Sequence, residues 1–131
     1  MNRVQLEPLD RNECMMLLHD RSLGRVGVKI ADEPVILPVY YAVLDDDIVF
    51  RTGPGTKLDA AVLGTKVAFE VDNAVPPWSV LVTGHAHEIR EHAERVRASA
   101  RLGHDWPAGE RDRLVRIRAE HVSGRRIHER D

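Results

Sequence analysis

Phe50-Arg51-Thr52-Gly53-Pro54-Gly55-Thr56-Lys57-Leu58 is the stretch on which the reading of this chain turns. An apolar β-forming run, Ile48-Val49-Phe50, leads into it, and Leu58, Ala61 and Val62 follow at the spacing of one helical face. Two glycines allow the backbone to turn tightly and to approach a ligand closely. Arg51, Thr52, Thr56 and Lys57 place two cations and two hydroxyls around the start of a helix, where backbone N–H groups also point outward. That combination suits a phosphate. A plain strand–turn–helix connection would use Gly and Pro in the same way. The segment lacks both the Gly-Lys-Ser/Thr ending of a Walker loop and the βαβ setting of a dinucleotide fingerprint.

Upstream, the patterning is that of hairpins. Residues 48–52 are expected as a strand entered from the turn Asp45-Asp46-Asp47, residues 35–44 as a strand centred on Val39-Tyr40-Tyr41, and residues 23–30 as another. Ala31-Asp32-Glu33-Pro34 separates the last two as a turn. A helix over 10–19 precedes them, capped by Asp10 with Glu13 in the capping-box position, and with Cys14, Leu17 and Leu18 on one face.

Downstream, a two-turn helix over 56–63 ends at Gly64, and strands follow over 66–71 and 78–90. Gly84 within the second of these marks a bulge or a sharp bend of the kind barrel corners require. Residues 91–100 suggest a surface helix with Val96 as its main apolar residue, and 105–109 a loop in which Trp106 is expected to pack against the last strand. That last strand begins near Leu114, and its longer form continues through Val122 and Ile127. The expected fold is mainly β with peripheral helices: a six-stranded antiparallel barrel, formed by residues 1–131 as one domain.

Bulk composition narrows the function classes. With 43% hydrophobic and 31% charged residues the chain is globular in character. A net charge of −2 gives no footprint for nucleic acid or an anionic membrane, and no apolar run is long enough to span one. The first residues lack a signal-peptide core, so a cytoplasmic location is expected. Cys14 is the sole cysteine, which excludes an intramolecular disulfide. Seven arginines between 111 and 130 have no aromatic residues interleaved among them and are read as a solvated face. His85 and His87 share a strand face without metal-ligand partners, so no metal site is expected, and the Asp45-Asp46-Asp47 cluster is read as a solvated turn.

Taken in order, several segments resemble the FMN-binding split-barrel proteins, the pyridoxamine 5′-phosphate oxidase-like superfamily. Residues 50–58 resemble its phosphate loop. Gly24-Arg25-Val26, Leu37-Pro38-Val39-Tyr40-Tyr41, the run from Val67 to Asp72, the run from Trp78 to Gly84 and Gly124-Arg125-Arg126-Ile127 resemble its successive strands and C-terminal end. The likeness is closest to the small actinobacterial-type members related to nitroimidazole-resistance proteins. It implies that Arg51, Thr52, Thr56 and Lys57 hold the phosphate of FMN. It also implies that Pro38, Val39 and Tyr40 line the isoalloxazine ring, and that Trp78 and Ser79 approach it from the other subunit of a homodimer. Leu58 stands where the true pyridoxamine-phosphate oxidases place a second basic residue, and the C-terminal substrate motif is at most a remnant. The expected activity is that of a flavin-dependent oxidoreductase acting on a small molecule, with no side chain assigned as acid or base. Two alternatives remain. One is an F420-dependent reductase, with Arg125 and Arg126 along the longer tail; the other is a flavin or haem carrier or sensor without turnover.

Overall fold

The structure, a computed structural model, describes residues 3–103 and 113–130. Trp106 and the 105–109 loop lie outside the described residues. In chain order the elements are β1 (Arg3–Leu9), α1 (Arg11–His19), β2 (Leu23–Ile30), β3 (Glu33–Leu44), β4 (Asp47–Thr52), α2 (Lys57–Val62), β5 (Lys66–Ala74), β6 (Pro77–Glu88), α3 (His92–Leu102), β7 (Arg113–Ile117) and β8 (His121–Arg130). The strands run β1-β8-β6-β5-β2-β3-β4-β7, and a further β6–β7 pairing closes the last six into a ring. The six-stranded antiparallel barrel is therefore β2-β3-β4-β7-β6-β5, and β8 and β1 extend from it beside β6.

Local chemistry accounts for the hairpins. Ala31 and Asp32, and again Asp45 and Asp46, all take positive φ, between 49° and 66°. These are two-residue turns whose twist matches the flanking strands, and Asp tolerates that conformation better than most residues. The first turn is therefore tighter than the four residues expected, and Glu33 already pairs with Ile30. Asp10 caps α1 by accepting from the Glu13 N–H at 2.9 Å, and Cys14, Met15 and Leu18 are buried. Val26, Phe50, Phe69, Val80 and Val82 are fully buried in the main core, where Tyr41 packs edge-on against Phe69. A smaller cluster of Leu44, Val49, Ile89, Ala98 and Leu114 seats α3 on the outside of β3 and β4.

Four expectations need correction. First, residues 114–127 do not form one strand, the longer form in which the last strand could be drawn. They break at 118–120, where Arg118 N–H donates to His85 O at 3.0 Å and Glu120 N–H to Thr83 O at 3.1 Å, so β7 stays in the barrel and β8 leaves it. Second, β1 was not expected; its mostly exposed, non-alternating side chains leave no period-2 signal, and its order comes from seven pairings with β8. Third, the surface helix expected over 91–100 runs from His92 to Leu102, with Val96 53% exposed and Ala98 as its buried contact. Fourth, the arginine-rich segment is not simply a solvated face. Arg116 is buried, with its Nε 2.8 Å from Asp47 Oδ2, and Asp47 also accepts the Ala119 N–H. Asp47 is thus a structural anchor rather than a solvated turn residue.

Candidate functional site

The site begins with the turn at the end of β4. Thr56 N–H donates to Gly53 O at 3.2 Å, with Pro54 and Gly55 as the central residues and Gly55 at φ +81°. Pro followed by a positive-φ Gly is the requirement of a type II turn. Thr56 is the N-cap of α2: its hydroxyl accepts from Asp59 N–H at 3.1 Å and donates to Gly53 O at 2.8 Å.

Asp59 was not anticipated, and it holds this corner together. It is buried, accepts from the Thr52 hydroxyl at 2.8 Å and from Gly55 N–H at 3.2 Å, and lies 3.1 Å from Arg113 Nε. Arg113 Nε is near enough for ion pairing, but its N–H is not aimed at the oxygen and finds no acceptor among the described residues. Arg113 reaches a second acid through its Nη1, 2.9 Å from Glu88. The sequence did carry a signal for Asp59, since Thr56 and Asp59 are spaced as an N-cap and the third helical position, where an acidic side chain is favourable.

A cleft of about 570 Å³ opens between this loop and β3. Pro38, Val39 and Tyr40 form one wall together with Leu23 and Leu37, and Arg51, Thr52, Gly53 and Thr56 form the other. Six of the expected site residues therefore meet in one cleft. Tyr40 is 59% exposed, whereas Val39 is buried beneath it, as alternate residues of a strand must be. Arg51 is half-buried and makes no ion pair among the described residues. The Thr52 hydroxyl proton is held by Asp59, so this side chain shapes the loop instead of offering a donor to the cleft.

The remaining three expected residues do not line the cleft. Lys57 is exposed on the first turn of α2. Trp78 is buried in the chain's own core with the Arg21 guanidinium 5.7 Å above its ring, and Ser79 pairs with Asp72 and Arg125 on its two neighbouring strands. Arg126 is tied to Glu13 at 3.2 Å. His85 Nδ1 lies 2.8 Å from Glu120, and no group of residues suited to a metal ion occurs among the described residues.

A closed six-stranded antiparallel barrel with an apolar cleft and a cationic, glycine-containing loop at its rim defines the class as a split barrel. Comparison with known proteins refines this. The family described as pyridoxamine 5′-phosphate oxidase matches residues 10–126. The uncharacterized protein Rv0080 of Mycobacterium tuberculosis is 39% identical over 128 residues, spanning 91% of this chain and 84% of that protein. The FAD-binding protein of Mycobacterium smegmatis has the same fold at a TM-score of 0.84 and 32% identity, covering 92% of this chain and 98% of that one. A FAD-binding protein of Mesorhizobium loti follows at 0.80 and 26%, covering 96% and 99%. This chain belongs to the pyridoxamine 5′-phosphate oxidase-like family.

Proposed function

We propose that the chain binds a flavin nucleotide in the cleft between β3 and the β4–α2 loop, and that it is an oxidoreductase acting on a small molecule in the cytoplasm. The observation that carries this reading is Arg51. It is a half-buried guanidinium without an ion-pair partner among the described residues, at the rim of a cleft whose opposite wall is Leu23, Leu37, Pro38, Val39 and Tyr40. An unpaired cation beside a flat apolar wall fits a ligand with a phosphate at one end and an aromatic ring system at the other.

In this reading Arg51 pairs with the phosphate and Lys57 adds charge from the start of α2. Thr56 and Thr52 hold the loop in shape through Gly53 and Asp59. Val39 and its neighbours exclude water from the ring. The flavin supplies the electron or hydride transfer, and the chain binds and orients it. FMN is the cofactor implied by the loop's resemblance; two similar structures are FAD-binding proteins. Both nucleotides carry the same riboflavin phosphate, so the loop serves either one. F420 is less favoured, because Glu13 holds Arg126 and leaves only Arg125 of the pair for a longer anionic tail. A homodimer is part of the proposal, with the Trp78–Ser79 start of β6 completing the site from the other copy through its backbone and the Ser79 side chain, since the Trp78 ring stays in its own core. The exposed, paired Leu23 and Tyr40 give that copy an apolar surface to cover.

The test is the absorbance spectrum of the purified protein, with mass spectrometry of the released ligand. Flavin absorbance is expected in the native protein. The double change Arg51→Ala with Lys57→Ala should lower flavin occupancy at least tenfold. A colourless protein that binds neither FMN nor FAD at micromolar concentration overturns the reading. Turnover of an acceptor with a reduced nicotinamide or deazaflavin donor separates an enzyme from a carrier.

A further inference from the structure

β2 and β5 are paired over three residues only: Arg25 with Glu70, Val26 with Phe69 and Gly27 with Ala68. Neither strand ends there. β2 continues beside β3 as far as Ile30, and β5 extends back to Lys66 beside His85 of β6. The barrel wall is therefore parted between two intact strands. Continuing the register would set Val28 opposite Val67 and Lys29 opposite Lys66. Like charges directly opposite each other disfavour pairing, so the sequence opposes closure where the wall opens.

The parting holds a cleft of about 860 Å³, within the range of small-molecule sites. Val28, Val35 and Val67 are among its lining residues, with Ala61 from α2 and Ile36, which is 70% exposed. Among the described residues, Lys29 and Lys66 are the only charged ones lining it, and neither makes an ion pair there. Glu120, an acid close enough to act on Lys66, is held by the backbone N–H and the ring of His85. An apolar cleft with two unpaired ammonium groups and no acid complements a ligand with an apolar body and one anionic head.

We propose that the β2–β5 parting is a second binding site, separate from the Arg51 cleft, for a small amphipathic carboxylate whose acid group sits between Lys29 and Lys66. Decanoate and decanol are suitable probes, titrated calorimetrically into the purified full chain at low salt. Decanoate is expected to bind at least tenfold more tightly than the alcohol, and to weaken as salt is added. Lys29→Gln with Lys66→Gln should abolish the preference while leaving flavin absorbance unchanged. Ile36→Glu alters an exposed position, which spares the fold, and should weaken decanoate several-fold. Equal affinity for acid and alcohol overturns the proposal, as does unchanged decanoate binding by the lysine variant or no binding at millimolar concentration. If Ile36→Glu instead converts a dimer to a monomer in sedimentation, the face is a contact between copies of the chain and the proposal falls.

Discussion

At Asp59 one carboxylate joins three separate pieces of chain: the end of β4 through Thr52, the turn through Gly55, and β7 through Arg113. Asp59→Ala leaves the buried Thr52 hydroxyl and the Gly55 N–H without their acceptor. The expected cost is about 2–3 kcal/mol, since bonds to a charged group are lost together, read as a lower urea midpoint. Flavin retention should fall with it, because the turn carrying Gly53 and Gly55 loses its anchor; a variant with native midpoint and native flavin content would contradict this role. The cations and glycines of the loop were legible as residue types, because few sequences place two cations and two glycines at a strand-to-helix junction. The task of the two hydroxyls was not. Thr52 and Thr56 look equivalent in sequence, and only the proximity of Asp59 to Thr52 and of Gly53 O to Thr56 turns both hydroxyls to holding the loop.

Among the elements, β6 bears the closure of the barrel. It pairs with β8 from Trp78 to Thr83 and with β7 from Ala86 to Glu88, and Gly84 lies at the exchange. Pairing with β5 runs through Gly84 without a break, so the glycine marks a corner and not a bulge in that ladder. A Cβ at Gly84 would lie 1.6 Å from Arg118 O, a backbone atom that cannot swing aside. Gly84→Ala is therefore expected to exceed the ~1–3 kcal/mol typical of core overpacking and to leave little folded protein at 37 °C, as measured by circular dichroism. A folded variant with a near-native midpoint would show that the corner can relax. The glycine could be read from the sequence, but its partner could not, because Arg118 is 34 residues away. For the same reason residues 114–127 can be drawn as one strand although the chain bends at 118–120.

For the molecule as a whole, acid should destabilise the fold in two stages. Half-buried His87 has its pKa lowered by desolvation, then by Arg118, with Arg116 adding to it and Glu94 and Asp47 opposing. The unfolded chain then takes up that proton more readily than the folded one, so stability falls as pH drops through the ordinary imidazole range at about 6.5. His87→Gln should flatten this limb of a plot of urea midpoint against pH; a limb of unchanged slope would rule His87 out. At lower pH, Glu120 is held below the usual carboxylate range by its hydrogen bonds from His85, and its protonation removes further stability. Glu70 opposes this over part of the range, because burial and neighbouring Asp72 raise its pKa. The amino-acid sequence by itself determined the hairpins, the capped first helix, the cationic glycine-containing turn before α2 and the mainly β class. Each of these rests on contacts between residues close in the chain, or on a side-chain period that local sequence displays. Only the tertiary structure decided that β6 closes the ring with β7 and that β1 adds to β8. It also decided that Asp59 and Arg116 are buried partners rather than surface charges, and that β2 and β5 part beyond Gly27. Those outcomes depend on which distant groups meet in space, where pairing and desolvation act between residues that the order of the chain does not bring together.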